Sequence, residues 1–151
     1  MNDSDIPLAV AGEETIIRAI KKPDHYDPAK SGKLKPYAFR PRAGHDDLSV
    51  MRHNYLGTEG CREKSKQICK EDYVGMASLL VSAVREIGSN VVDTREVFLG
   101  HADMPHGYVF VPNEPPPPEI ALKIKEIVAH AVLHLDPDVK AATWTGANLR
   151  R

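Results

Sequence analysis

The sequence predicts a single α+β domain, a small mixed sheet with a C-terminal amphipathic helix packed on one face. Three observations carry that prediction. The 151 residues are one domain's worth. Short alternating or β-branched runs, too short for helices, recur through the first two thirds. One apolar stripe at helical spacing, Ile120, Ile124, Ile127, Val128, Ala131 and Leu135, follows them.

Residues 1–12 mix acids with Pro and Gly and show no period, so they read as a loose N-terminal segment. The β-branched stretch Glu14 to Ile20 reads as a strand in preference to a turn or two of helix, ended by Lys21-Lys22-Pro23. Pro23 to Pro36 is a loop, since Asp27-Pro28 and Ser31-Gly32 are turn formers. Tyr37 to Arg42 alternates bulky with polar residues, but Pro41 cannot donate to a ladder, which predicts an edge strand or strand end. Leu48 to Arg52 is a short strand with Leu48 and Val50 facing the core.

Thr58 is the expected N-cap of a polar helix running from Glu59 to about Lys70, with Gly60 as a weak point. Tyr73 to Leu79 reads as a strand, Val81 to Ile87 as a short helix closed by Gly88, and Asn90 to Phe98 as a second strand. Within one sheet that unit favours a right-handed parallel arrangement, with a crossover short for direct neighbours. Gly100 to Gly107 is expected as a loop and Tyr108 to Val111 as a brief strand. Pro115 to Pro118 is a stiff polyproline spacer, part of a proline-rich stretch at 112–118, delivering a helix from Pro118 or Glu119 to Leu135. The domain spans 13–135, and 136–151 is a C-terminal tail that packs through Trp144 or extends freely.

Composition bounds the function classes. With 42% hydrophobic and 27% charged residues the chain is ordinary globular material. No apolar run approaches the roughly 18 residues of a membrane span, and the acidic start lacks the basic opening of a secretory signal, so a cytoplasmic protein with no membrane partner is expected. Cys61 and Cys69 form no C-x-x-C pair and are expected as reduced thiols. Net charge is -1 and the pI about 6.6, yet the charge is unevenly placed. Ile16 to Arg42 carries eight basic residues against Asp24 and Asp27, whereas Asp93 to Glu119 holds five acids against Arg95. Such blocks mark an anionic partner, lie together in the fold, or are simply solvated.

Four clusters could carry chemistry. His101, Asp103 and His106 lie within six positions, and such a set could hold a divalent metal, or Asp103 could orient His106 as a general base. A locally hydrogen-bonded turn is the alternative. His130 and His134, at i and i+4, would share one side of the last helix, but Ala131 stands where a zinc peptidase needs its glutamate. His45-Asp46-Asp47, Ser49, Arg52 and His53 form a third group, in which Arg52 beside Ser49 could hold a phosphate or carboxylate. Tyr37, Arg40 and Arg42, with Tyr26, Phe39, Lys33 and Lys35, interleave aromatics with cations as a nucleic-acid binder does, although the near-neutral pI disfavours a dedicated one.

The fragments Phe39-Arg40-Pro41 and Leu48-Ser49-Val50-Met51-Arg52, followed by Asp103 and His106 in a late segment, resemble a group of small bacterial proteins reading FxP, then LSVxR, then an aspartate and a histidine. The likeness spans Pro36 to Gly107, about half of the chain. Here the late segment is Asp103-Met104-Pro105-His106 where the group more often reads D-P-G-H, and Asp47 replaces a usual glycine. The resemblance implies a bacterial single-domain α+β protein and directs attention to Ser49, Arg52, Asp103 and His106; it carries no activity.

The leading expectation is a binding or accessory protein, a regulatory or interaction subunit of a larger assembly with a protein partner. The alternative is a hydrolase or transferase on a phosphate-containing substrate, using His106, Asp103, Arg52 and Ser49. Nucleic-acid binding stands third.

Overall fold

A computed structural model describes residues 2–29 and 32–149. The α+β class holds: six strands, β1 (Thr15–Lys21), β2 (Asp47–Arg52), β3 (Tyr73–Leu80), β4 (Val92–Asp93), β5 (His101–Pro105) and β6 (Val132–Leu135), form one sheet with three α-helices. The helices are α1 (His53–Cys69), α2 (Val81–Ile87) and α3 (Pro118–His130). Strand order is β4-β5-β2-β1-β3-β6, and every pairing is antiparallel, where a mixed sheet was expected. β3 and β4 do run in the same direction, but β5, β2 and β1 lie between them, so α2 joins no parallel neighbours.

The sheet separates two cores. On one face Ile16, Ile20, Leu48, Val50, Leu79, Ala102 and Met104 pack with α2 through Val81 and Val84 and with α3 through Ile120, Ile124 and Ile127. On the other, Ile17, Ala19, Met51 and Met76 pack with Cys61 and Cys69 of α1 and with Leu149. Alternation places consecutive β1 residues on opposite faces, so a central strand covered on both sides reads as continuous apolar sequence. Full burial of each such isoleucine contributes about 1.5–3 kcal/mol.

Several expected elements take their expected form. β1, β2 and β3 fall on their predicted runs, and α2 ends at Gly88, whose φ of 106° caps the helix in the left-handed region. α1 breaks at Gly57, with φ 70° and ψ 177°, so its long part begins at the expected Thr58 after one preceding helical turn.

Others differ for local physical reasons. Tyr37 to Arg42 is not an edge strand: Pro36, preset for a turn at the first helical position, starts a 3-10 turn at Pro36–Phe39 that buries Ala38 and Phe39. The 90–98 strand shrinks to Val92–Asp93, because Arg95 folds back on Asp93 through its backbone and side chain. The histidine-bearing stretch is a strand, not a loop, with Ala102 and Met104 turned into the core. Tyr108–Val111 forms no strand: Phe110 exchanges backbone hydrogen bonds with Gly44 and His45, and its ring is buried in the core beside that of Tyr108. α3 stops at His130, where Ala131 turns extended, and 132–135 becomes edge strand β6.

Residues near both ends of the described chain are anchored to this frame. Ile6 and Val10 are buried, and Leu149 is fully enclosed in the α1 core. Arg62 clamps the approach to the C-terminus through Asp136 at 2.7 Å and the Asp138 carbonyl at 3.0 Å. Among the described residues no helix is long and apolar enough to cross a membrane.

Candidate functional site

The residues singled out from sequence separate into two groups, one built into the frame and one gathered in a cleft. Arg52 belongs to the first. Its side chain is fully buried, and all five guanidinium N–H groups are spent. Nε and Nη2 form a fork on Glu14 at 2.9 and 2.7 Å, Nη1 reaches Asp93 at 2.8 Å and the Pro7 carbonyl, and Nη2 reaches the Ala9 carbonyl. Burial works against its charge, but the hydrogen bonds to Glu14 and Asp93 outweigh it and raise its pKa. This arginine ties the N-terminal segment and β4 to β2, and has no donor left for a ligand.

His106 is likewise a fixture. Its Nε2 lies 2.8 Å from the Phe39 carbonyl and its Nδ1 2.6 Å from Ser89 Oγ. A carbonyl only accepts, so Nε2 carries the proton and Nδ1 accepts from the serine. Burial lowers the imidazole's pKa, the Phe39 hydrogen bond opposing it, and the ring stays neutral near pH 7. Arg52 and His106 sit at opposite ends of the β2–β5 ladder: Arg52 N–H bonds Gly100 O, while His106 N–H bonds Asp46 O. Six residue steps separate Gly100 from His106, roughly 20 Å at about 3.4 Å per residue. The structure therefore does not bring Arg52, Asp103 and His106 together around one substrate.

The expected metal set also comes apart. His101 and Asp103 alternate on β5 and share a face, whereas both ring nitrogens of His106 are engaged elsewhere. Among the described residues no three His, Cys, Asp or Glu side chains group closely enough to hold a metal ion. Nor do His130 and His134 pair: His130 closes α3 against the Glu126 carbonyl, and His134 stands on β6 bonded to Ser78.

The second group meets where the sheet splits. β1 pairs with β3 at seven positions but with β2 at only two, Ile16 with Arg52 and Ile17 with Met51. Beyond that point the ladder would set Ala19 against Ser49 and Lys21 against Asp47; the strands part instead. Side chains take over the lost backbone partners. Arg18 donates through Nη1 to the Ser49 carbonyl at 3.0 Å and through Nε to the Ala38 carbonyl at 2.8 Å. His25 accepts from the Lys21 N–H at Nδ1 and hydrogen-bonds the Ala19 carbonyl. Burial, then the nearby Arg18 and Lys21 charges, push the His25 imidazole down to about 3, so it is neutral. Burial also lowers Arg18, to about 10, which leaves it protonated at neutral pH.

The opening is a cleft of about 630 Å³ whose walls include Tyr37, Arg40, Arg42, Ser49, His101 and Asp103. These are six of the sequence-selected residues. Arg42 is exposed and pairs with no acid among the described residues. Arg40 is half-buried, its guanidinium 5.1 Å from the Phe110 ring centre and bonded to the Glu114 carbonyl. Opposite charge lines part of the wall. The β2–β5 register sets Asp47 against Pro105 and Ser49 against Asp103, which makes Asp47 and Asp103 diagonal neighbours on one face. Burial first, then the Asp47, Glu96 and Asp46 charges, push Asp103 up to about 6. His101, whose pKa burial lowers, holds Thr94 Oγ1 at 2.6 Å and meets the Phe98 ring edge-on.

Sequence reasoning missed Arg18, Lys21 and His25 as cleft residues. The only signal was membership of the basic block, since their role depends on a strand separation that no local pattern encodes. Of the interleaved aromatics, Phe39 and Tyr26 are buried and only Tyr37 remains on the surface. No protein-family model, curated protein or solved structure matches the chain.

Proposed function

We propose that this protein acts by binding, its β1/β2 cleft receiving a small anionic ligand, and that it serves as a regulatory or accessory subunit. The observation that carries the reading is the arginine-lined opening in the sheet. Arg40 and Arg42 face a cleft of the volume small-molecule sites occupy, beside the Arg18 and Lys21 cations. Arginine forks suit phosphate and carboxylate groups. The exposed turn at Val111 to Glu114 and the prolines Pro115 to Pro117 after it supply a proline-rich surface of the kind protein partners dock on.

Catalysis through His106 and Arg52 is not part of this reading, because both side chains are consumed in holding the fold. A nucleic-acid strand also finds little support, with one surface aromatic in place of a stacking row.

Calorimetric titration with pyrophosphate tests the binding. The wild type should bind, with affinity falling as salt rises, and the Arg40→Ala/Arg42→Ala double variant should lose at least tenfold. Equal affinity in the double variant refutes the assignment. For the subunit role, a protein partner should co-purify from the native host, and a chain that always isolates alone counts against it.

A further inference from the structure

The cleft carries more than cations. Its mouth is apolar and partly aromatic: Tyr37 is 52% exposed, Ile68 52% and Val97 61%. The His25 ring lies 6.4 Å from that of Tyr37, the two planes 35° apart. Within, the Asp47/Asp103 pair presents carboxyl oxygens to the same space.

A bare inorganic anion uses only one of these features. It satisfies the arginines but leaves the apolar mouth and the carboxyl pair unused. A ligand matched to all three carries an anionic group, a flat body able to lie on an aromatic ring, and an N–H donor for the acids. We propose that the cleft binds a nucleoside monophosphate whose base bears an exocyclic amine. This rests on the anion-binding reading above and names the ligand class for that site.

Arg40 and Arg42 take the phosphate, since planar forks match its oxygens. Tyr37 offers a face for the base; stacking on an aromatic tolerates any heterocycle and gives affinity more than choice. Choice comes from the acids. A carboxyl pair accepts hydrogen bonds from an amine and repels a carbonyl oxygen placed at the same point, so an amino base is preferred to its oxo counterpart. The cleft's volume fits a ligand of this size.

Calorimetry on the intact chain with AMP, IMP, ribose 5-phosphate and adenosine tests the proposal. AMP and IMP differ at the position of the amine, and ribose 5-phosphate keeps the anion without a base. AMP should bind at least tenfold tighter than IMP and ribose 5-phosphate, and Asp47→Ala should shrink the AMP/IMP ratio to under threefold. Arg40→Ala should weaken AMP and ribose 5-phosphate alike. Equal binding of AMP, IMP and ribose 5-phosphate overturns the nucleotide proposal while leaving the anion site standing. Adenosine binding as tightly as AMP, or no binding by any of the four, overturns both. The AMP/IMP comparison uses the wild-type chain, so it is decided even where a variant fails to fold.

Discussion

Arg18 donates to the Ser49 carbonyl at 3.0 Å at the place where β1 and β2 stop pairing. A side chain of one strand thus occupies the position of the other strand's backbone. The contact gives the unpaired β2 edge a donor for the Ser49 carbonyl where β1 no longer supplies one. Every cleft residue discussed above depends on that separation.

Removing the Arg18 side chain therefore should cost stability without a cavity to explain it. Arg18→Ala leaves the Ser49 and Ala38 carbonyls without their donor. Loss of about 1–3 kcal/mol in urea denaturation is expected, with Arg18→Lys recovering part of it. Denaturation unchanged from wild type would show that the open ladder needs no plug.

Arg52 should prove the more severe site. Arg52→Met keeps much of the volume but leaves Glu14, its side chain only 4% exposed, with the Ala11 N–H in place of an ion pair, and removes one of the two arginines on Asp93, 2% exposed. Breaking one partner of a buried ion pair costs about 3–5 kcal/mol, so the variant should unfold at much lower denaturant. Anion binding by whatever fraction stays folded should be intact, because Arg52 does not line the cleft.

Asp103 should behave in the opposite sense. Its folded pKa, about 6, lies above the ordinary 3.8. The folded state therefore binds more protons than the unfolded one between these values, and stability falls as pH rises through that window. Asp103→Asn removes the penalty: it should stabilise the protein near neutral pH, and the gain should vanish below pH 3.8. Parallel thermal melts of the two proteins across pH read this directly; a variant less stable at neutral pH would contradict the burial and the neighbouring acids that raise Asp103.

Gly75 fixes how closely β6 approaches. A Cβ there would collide with the His134 carbonyl oxygen and lie 2.9 Å from the Leu135 Cα, both backbone atoms. Gly75→Ala should push β6 off the sheet edge at a cost of about 1–3 kcal/mol. Amide exchange localises the effect: protection should drop at 132–135 and persist in β1. Unchanged protection at β6 would refute the close approach.

Much of this fold was legible because local patterns agreed with it. Leu48 and Val50 alternate inward as expected, and Gly88 closes α2 as its position after Ile87 suggests. β5 was hidden because His101, Asp103 and Pro105, on the face away from α2 and α3, look like a loop, while the opposite pair, Ala102 and Met104, gives only two apolar positions. β6 was hidden because Val132 to Leu135 continues the helical spacing of α3; only the extended Ala131, φ -73° and ψ 144°, breaks it. For the site, Tyr37, Arg40, Arg42, Ser49, His101 and Asp103 could be chosen by residue type. Arg52 was misread because its acids lie 38 and 41 residues away, beyond any sequence pattern.

The most direct test of the cleft is an NMR titration of the isotope-labelled protein with pyrophosphate, following backbone amides and arginine side-chain N–H signals together. The account predicts saturable shifts at Arg18 Nε, Arg40, Arg42, Tyr37 and Ser49, with Arg52 Nε and the Ser89–His106 contact unmoved. Shifts centred on Arg52 and His106, or none in the β1/β2 opening, would contradict it.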